Sequence, residues 1–197
     1  MEYPRVTEIL RAFTSYDQVP KHILDNAAAR GTTVHALCAG IAKGAWLPDG
    51  MIGEAHLGYV NSFKLWQQAH VTSFDIIETR YIDEVLGYSG QLDFVIKAND
   101  GKLYLVDLKT SAKPQKTYPI QMAAYDRLLK KHGIVVEGAM IVYLNKTGEF
   151  PDIDFLPNMD AEFHIFSCAL DCWNYFKPRK LNARRKELSA ANTSCDE

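Results

Sequence analysis

The sequence predicts an α/β domain in which helices cover a mixed central β-sheet. Helical periodicity dominates residues 5–69 and returns at 118–131 and 160–176. Residues that favour strands concentrate between 76 and 108 and recur at 138–144. The resulting order of helices, strand meander, helix, strand and helix is typical of a sheet with helices packed on it.

Composition and charge limit the class of protein. The chain has 197 residues, of which 47% are hydrophobic, enough for one sizeable core. Its net charge of -2 excludes a uniformly basic protein that coats nucleic acid, so any such contact must come from a local patch. No apolar run approaches the roughly 20 residues that span a bilayer, and the first residues are unlike a signal peptide. We therefore expect no membrane partner, a cytoplasmic location and four reduced cysteines.

The N-terminal third is predicted to form three helices. The first covers residues 5–29, with Thr7 as its N-cap, and ends at Arg30-Gly31 because glycine is a common signal for a helix end. The second covers 32–43, with one of its two leading threonines as the cap. The third covers 54–69, and its apolar face consists of Leu57, Val60, Phe63 and Leu65.

The middle of the chain predicts a three-stranded antiparallel meander. Strands are expected at 76–81, 92–96 and 103–106, where β-branched and aromatic residues concentrate. The Asp100-Gly101 step between the second and third strands is a strong hairpin-turn signal. The segment 76–108 is therefore expected to form three neighbouring strands of one sheet.

The remaining elements complete the sheet and its cover. A helix is predicted over 118–131, where apolar residues repeat at every fourth position: Ile120, Ala124 and Leu128. The run at 138–144 is apolar enough for a strand in the sheet interior. A short edge strand near 153–156 and a last helix over 160–176 follow.

Three charged residues on two of these strands mark the candidate site. Asp93, in the segment Gly90-Gln91-Leu92-Asp93, lies early on one arm of the predicted hairpin, and Asp107 lies at the far end of the other arm. Antiparallel pairing places these ends side by side, so both carboxylates meet at one edge of the sheet. Lys109 shares the face of Asp107 because side chains alternate along a strand, and Leu108 points to the core.

Two carboxylates and a lysine in this arrangement suit phosphodiester hydrolysis. Mg²⁺ prefers carboxylate ligands together with water and substrate phosphate, and it polarises a phosphoryl oxygen. Lys109 would orient the attacking water or screen the charge that develops on phosphorus. An Asp-x-Lys tripeptide also occurs by chance, and charged strand ends are typical of a solvated edge. The apolar residues around Asp107-Leu108-Lys109 favour a site.

Four short motifs resemble those of a known family. The motifs are, in chain order, Arg30-Gly31-Thr32-Thr33-Val34-His35, Gly90-Gln91-Leu92-Asp93, Asp107-Leu108-Lys109 and Gln121-Met122-Ala123-Ala124-Tyr125. In these motifs and in their order, the sequence is similar to the PD-(D/E)xK nuclease superfamily, in its RecB-like exonuclease branch. The opening 3–10 is similar to the start of many phage-borne members. The resemblance implies a restriction-endonuclease-like core.

The resemblance also implies roles for individual residues. Asp93 and Asp107 would ligate the metal, Lys109 would be the catalytic lysine, and the Leu108 backbone carbonyl and His35 would be further ligands. The cofactor would be Mg²⁺ or Mn²⁺, because a mixed histidine and carboxylate site tolerates Mn²⁺ well. Without the resemblance, a lone histidine in a first helical turn is more typical of a satisfied or exposed residue.

Three further residues near the site have alternative interpretations. Gln121 and Tyr125 share one helix face at i and i+4, and the resemblance implies that they contact nucleic acid beside the metal. The residues alone favour a surface pair at the boundary of the core. Glu78, one strand earlier, is either an additional carboxylate at the metal site or an exposed strand residue.

Basic residues outside the site are candidates for phosphate contacts. Lys113 and Lys116 lie in the loop after Lys109. Six more basic residues fall between 177 and 186, where the single domain expected over 1–177 gives way to a basic, then polar, flexible tail over 178–197. We interpret this basic run as an arm that attracts DNA electrostatically, so that binding depends steeply on salt concentration. The alternative is a tail that only increases solubility, which would have the same composition.

The cysteines do not match an iron–sulfur pattern. Some relatives hold a four-cysteine cluster, with one cysteine before the nuclease core and three after it. Here Cys38 follows His35, Cys168 and Cys172 lie within an apolar helix, and Cys195 lies in the polar tail. We expect no iron–sulfur cluster and helix cysteines that pack as small buried hydrophobes.

The sequence therefore predicts a metal-dependent DNA nuclease, and we expect an exonuclease acting on single- or double-stranded ends in DNA processing or recombination. One alternative is a nuclease-fold module that binds DNA or another protein without cutting. Such modules usually lose an acidic ligand or the lysine, and this sequence retains them all, which argues against this alternative. A structure-specific endonuclease is another. The phage-like opening implies a recombination or single-strand-binding partner in a bacterial host cell.

Overall fold

Helices cover both faces of one β-sheet in the computed structural model, which describes residues 3–14, 18–111 and 114–176. Short 3-10 turns lie at Arg11–Phe13 and Asp49–Met51. The other elements, in chain order, are α1 (Val6–Leu10), α2 (Lys21–Ala42), α3 (Glu54–His70), β1 (Val71–Asp83), β2 (Tyr88–Ala98), β3 (Leu103–Lys109), α4 (Thr117–Lys131), β4 (Gly138–Tyr143), β5 (Asp152–Leu156) and α5 (Asp160–Phe176).

The sheet is mixed, with strand order β1-β2-β3-β4-β5. The first three strands form the predicted antiparallel meander, and β5 pairs antiparallel with β4 as the predicted edge strand. Strands β3 and β4 are parallel because α4 carries the chain back across the sheet between them. At the hairpin, Gly101 has a φ of 81°, which glycine adopts without strain. The α/β prediction is confirmed.

Two hydrophobic cores lie on opposite faces of the sheet. On one face, α1, α4 and α5 pack on Val95 and Leu105. On the other face, α3 packs Phe63 and Trp66 against Phe94 and its neighbours. Phe94, Val106 and Leu108, which are chain neighbours of Asp93 and Asp107, belong to the second core. Because side chains alternate along a strand, the two aspartate side chains lie on the opposite face, which α4 covers. This arrangement places the charged residues under a helix, away from solvent.

The N-terminal helices differ from the prediction in three ways. The first helix is short, and Thr7 lies inside it; Arg5 is the N-cap, and its backbone N–H donates to the Glu8 carboxylate at 2.9 Å. Helix α2 runs through Gly31, where a break was expected. Thr32 and Thr33 do not cap a new helix, because their hydroxyls donate to carbonyl oxygens four residues earlier within α2.

The core-facing side of α3 also differs from the prediction. Val60 and Phe63 are fully buried as expected, but Leu65 is 42% exposed and Trp66 is fully buried in its place. Tyr59, Phe63 and Trp66 recur at spacings of four and three residues and so form one stripe, whereas Leu65 lies off that stripe.

The cysteines correct another expectation. Cys38 is buried in the α3-side core, but Cys168 and Cys172 are exposed on α5 and do not pack as buried hydrophobes. The reason is the register of α5, whose core positions are Phe166, Ala169 and Leu170. Cys195 and the basic run 177–186 lie outside the described residues. Among the described helices, none combines the length and apolar character needed to cross a membrane.

Candidate active site

The two aspartates meet where β2 and β3 pair. Phe94 faces Val106 in the register, so one position further along Asp93 faces Asp107. Asp93 is 8% exposed and Asp107 3% exposed, and the Leu108 backbone N–H donates to Asp93 Oδ2 at 2.8 Å. The structure thus brings together the two carboxylates that the sequence predicts as a pair. Asp93, however, lies in the middle of β2 and not near a strand end, and both side chains are buried.

Lys109 completes an ion pair with the second aspartate. Its Nζ lies 2.6 Å from Asp107 Oδ2 and donates to Gln121 Oε1 at 3.3 Å. Burial alone would lower the pKa of Lys109, but the charge and hydrogen bond of Asp107 raise it, so the amine is protonated. Burial raises the pKa of Asp107 above its usual range despite this ammonium group.

His35 reaches the first aspartate from α2. Its Nδ1 lies 3.2 Å from Asp93 Oδ1 and 4.0 Å from Glu78 Oε1. Burial would lower the pKa of His35, but the carboxylate of Asp93 outweighs burial and raises it to about 9. In turn, His35 helps to lower the pKa of Asp93 although burial opposes that change. Without a metal, the imidazole is therefore a cation that partners Asp93.

Glu78 joins this cluster from β1. Glu78 lies opposite Asp93, because the neighbouring residues pair as Ile77 with Phe94 and Thr79 with Leu92. Its Oε2 accepts a hydrogen bond from Gln91 Nε2 at 2.7 Å. Its φ of 47° is in the left-handed region, which is unusual for a residue with a side chain and costs conformational energy. Within the described ranges, the ligand atoms of His35, Glu78 and Asp93 all lie within 4.8 Å of one another.

Gln121 and Tyr125 lie on α4 directly over the aspartates. Gln121 Nε2 donates to Asp107 Oδ1 at 2.8 Å and to the Tyr125 hydroxyl oxygen at 3.1 Å. The two side chains are 9% and 4% exposed, so they are site-facing and not the surface pair that the residues alone suggest. Their hydrogen bonds orient Asp107, and their contact with nucleic acid stays a prediction.

Gly90 explains how Tyr125 approaches so closely. A Cβ at this position would lie 2.5 Å from the Tyr125 ring and 3.0 Å from Leu128. Glycine is therefore required where α4 packs across β2. The predicted motif contained this glycine, but its role became visible only from the packing.

The structure describes one of the two loop lysines. Lys116 is exposed, immediately before α4. Lys113 lies outside the described residues. Their predicted contacts with phosphate stay predictions.

A cleft leads from solvent to the charged cluster. It has a volume of about 660 Å³, and His35, Lys109 and Gln121 are among the residues that line it. Hydroxyl and guanidinium groups lie in its walls beside apolar side chains and the carboxylate of Asp25; they come from Thr7, Arg11, Thr14, Arg30, Thr110 and Ser111. A second cleft, of about 650 Å³, lies on the other side of His35 and includes Lys43, Glu78 and Gln91. The imidazole thus lies on the wall between two clefts.

Tyr118 is a site residue that the sequence reasoning missed. Its ring centroid lies 4.3 Å from Lys109 Nζ, and its hydroxyl is 3.1 Å from Ser111 Oγ. It precedes Gln121 by three residues on α4, so helical spacing alone places it beside Gln121. That spacing was the signal that could have found it.

Comparison with known protein families identifies the superfamily to which the chain belongs. The family model described as the PD-(D/E)XK nuclease superfamily matches residues 7–183, which is most of the chain, and the chain therefore belongs to this superfamily. No curated protein matches the chain. A solved structure described as the crystal structure of SSO0001 is similar, with 18% identity and a TM-score of 0.41. The match covers 64% of this chain and 62% of that chain, less than two thirds of the length of the solved structure.

Proposed function

We propose that this protein is a Mg²⁺- or Mn²⁺-dependent exonuclease of the RecB-like branch, acting on DNA ends. The observation that carries the proposal is the contact network of Asp93, Asp107, Lys109 and His35, in which His35 and Lys109 line a cleft. Membership of the nuclease superfamily gives this network its chemical context. The order of the four motifs supports the exonuclease branch.

The side chains in the cluster fit a divalent cation. Asp93 and Asp107 present two buried carboxylates side by side, and burial raises the pKa of Asp107, so a cation stabilises the pair. His35 and Glu78 extend the donor set on one side of Asp93, and the Leu108 carbonyl would extend it on the other. Oxygen ligands with one imidazole suit Mg²⁺ and Mn²⁺. A cation held there would supply Lewis acidity towards a phosphoryl oxygen.

The protein's own groups supply the rest of the chemistry. Lys109 is protonated and lines the cleft, where it can orient a water molecule or neutralise charge on the phosphoryl group. Gln121 fixes the orientation of Asp107 through its amide, and Asp93 is fixed by the Leu108 N–H. Preorganised groups of this kind lower the barrier because they do not have to reorient during the reaction.

The hydroxyl-rich cleft is the proposed path of the nucleic-acid strand. Arg11 and Arg30 provide positive charge along it, and threonine and serine hydroxyls provide hydrogen bonds to phosphate. Lys116 is exposed between Gln115 and Thr117, which both line the cleft. Binding through these groups would weaken as the salt concentration rises. Binding releases counterions from the phosphates, and this release is less favourable in concentrated salt.

Cleavage of end-labelled linear and closed circular DNA tests the proposal. Single- and double-stranded forms are incubated with Mg²⁺, Mn²⁺ or EDTA, beside Lys109→Ala and the matched control Lys97→Ala, which removes an exposed lysine of β2. We expect metal-dependent loss of linear DNA, intact circles, an inactive Lys109→Ala variant and an active control. Partner proteins in recombination are sought only after this result.

Other outcomes lead to the alternatives. Cut circles indicate an endonuclease. A folded protein that binds Mn²⁺ but cleaves no DNA directs attention to RNA. If calorimetry also detects no Mn²⁺ binding, the protein is a non-catalytic binding module and the proposal is wrong.

A further inference from the structure

The ammonium group of Lys109 is held by three different kinds of contact. Asp107 provides an ion pair at 2.6 Å, Gln121 provides a neutral hydrogen-bond acceptor at 3.3 Å, and the Tyr118 ring provides a π-face at 4.3 Å. The lysine side chain is 16% exposed, so water competes weakly with these contacts. A cation–π contact is strongest when it is shielded from water in this way.

Tyr118 has its own supports, independent of the lysine. Its hydroxyl shares a hydrogen bond with Ser111 at 3.1 Å, and its ring lies 6.4 Å from the ring of Tyr143. Tyr143 in turn donates to Asp154 Oδ2 at 2.9 Å, which ties it to β5. The ring therefore has a defined position on the sheet and does not depend on Lys109 to keep it.

We propose that Tyr118 is a positioning residue whose ring keeps Lys109 at the site when a divalent cation binds Asp107. This inference rests on the proposed function, which gives Lys109 its role in cleavage. A divalent cation held by Asp107 would compete with Lys109 for this carboxylate, and its charge would repel the ammonium group. The ring attracts the ammonium group without using a carboxylate oxygen. Gln121 Oε1 remains as a weaker second partner.

The main alternative is that Tyr118 stacks on a base of the substrate, because it also lines the cleft. The two roles differ in kinetics. A residue that positions Lys109 affects kcat, whereas a residue that binds the substrate affects mainly KM.

Three variants separate the contributions of ring and hydroxyl. Tyr118→Phe keeps the ring, Tyr118→Leu removes it, and Tyr104→Leu removes a buried tyrosine ring at the other end of β3 as a control for general loss of packing. We expect Tyr118→Leu to lower kcat by about 10-fold or more with little change in KM. Tyr118→Phe should retain nearly all of the wild-type kcat. Tyr104→Leu should also retain the wild-type kcat when it is assayed below the temperature at which this variant unfolds.

A spectroscopic measurement tests the contact without any cleavage. The Hε protons of Lys109, assigned in ¹³C-lysine-labelled protein with the Lys109→Arg variant, should be shifted upfield by the Tyr118 ring. We expect this shift to persist when Mg²⁺ alone is added, to persist in Tyr118→Phe, and to disappear in Tyr118→Leu.

The outcomes are distinct from those of the proposed function. If Mg²⁺ abolishes the upfield shift, or if Tyr118→Leu keeps wild-type kcat, the positioning role is wrong. A rise in KM at constant kcat also overturns it and assigns Tyr118 to substrate binding. If the wild type cleaves nothing, the proposed function fails, and the magnetic-resonance result still decides whether the ring holds Lys109 in the presence of Mg²⁺.

Discussion

Gln121 connects the charged groups of the site to the helix above them. Its amide nitrogen donates to Asp107 and Tyr125, and its oxygen accepts from Lys109, so a single neutral side chain contacts both members of the ion pair. A residue in this position acts through the groups it orients. Loss of such partners commonly lowers metal affinity or activity by about 10- to 100-fold.

Gln121→Ala should therefore weaken Mn²⁺ binding and cleavage by about 10-fold or more, because Asp107 loses the donor that fixes its carboxylate. Calorimetry with Mn²⁺ and a single-turnover cleavage assay measure the two effects. The control is Gln68→Ala, which removes an exposed glutamine of α3. Equal Mn²⁺ affinity in Gln121→Ala and wild type would contradict the orienting role.

At this scale, sequence spacing predicted the aspartate pair and the lysine, because strand alternation and hairpin pairing are local rules. It could not predict which partner each group selects. The contact between His35 and Asp93 joins residues 58 positions apart, and the left-handed backbone of Glu78 is a consequence of the assembled sheet. Such contacts depend on packing that no short motif encodes.

The turn between β1 and β2 is fixed by one aspartate. Asp83 Oδ1 accepts from the backbone N–H groups of Val85 and Leu86, both at 2.9 Å, and lies 2.6 Å from Lys131 Nζ on α4. Burial would raise the pKa of Asp83, but the hydrogen bond from Lys131 and the two backbone donors lower it. The turn and the helix are thus joined through an ionised carboxylate.

Asp83→Asn should lower the free energy of unfolding at pH 7 by about 1–3 kcal/mol, because the charged hydrogen bond to Lys131 is lost. A lowered pKa in the folded state means that the stabilisation is present above the ordinary carboxyl range and is lost as pH falls through the folded pKa. Urea denaturation between about pH 7 and pH 3 should therefore show the variant and wild type converging at acid pH. Glu84→Gln, at an exposed neighbouring position, should show no such convergence.

Helix α3 approaches the segment after β4 at a glycine. A Cβ at Gly58 would lie 1.8 Å from the carbonyl oxygen of Lys146, a backbone atom that cannot move aside cheaply. Gly58→Ala should lower the free energy of unfolding by about 3 kcal/mol or more. The shift in the urea midpoint measures this loss.

Gly40→Ala is the matched control for that prediction. Gly40 also lies in a helix, but the nearest atoms to its added Cβ are 3.8 Å away, which is ordinary contact. Alanine should therefore leave stability unchanged or raise it by up to about 1 kcal/mol, because alanine favours helix more than glycine does. Similar losses in both variants would show that the close approach at Gly58 is not the cause.

At the scale of elements, propensity located nearly every helix and strand but misplaced boundaries within α2. Gly31 was interpreted as a helix end, yet glycine costs only about 1 kcal/mol in a helix interior, and the turns on either side continue through it. The face of α3 was misassigned at Leu65 because hydrophobicity alone does not identify the buried stripe when apolar residues lie on several sides.

For the whole molecule, metal binding should raise thermal stability. A ligand that binds only the folded state at 100 times its Kd stabilises that state by about 2.7 kcal/mol. We expect Mn²⁺ to raise the Tm in a thermal scan and EDTA to reverse the rise, because Asp93, Asp107 and His35 converge only in the folded chain.

The Asp93→Asn variant provides the control for metal-linked stability. It removes one charge from the cluster and should show little or no rise in Tm with Mn²⁺. A rise equal to that of the wild type would place the stabilising ion elsewhere on the protein.

At the scale of the whole molecule, the fold class was predictable because the order of helices and strands along the chain indicates how they pack into layers. The parallel pairing of β3 with β4 follows from α4 between them, and it brings the helix that carries Gln121 over the aspartates. The shape of the clefts was not predictable, because it depends on where α2 lies against the sheet.

The position of His35 between two clefts has a mechanical consequence. Asp93, Asp107 and Lys109 are fixed to the sheet, whereas the imidazole is carried by α2, which also lines both openings. A small tilt of this helix would change the distance between the imidazole and Asp93 while leaving the strands in place. If His35 is a metal ligand as proposed, we expect a nucleic acid that enters either opening to contact this helix, so that occupancy of a cleft and the position of the imidazole are coupled through α2.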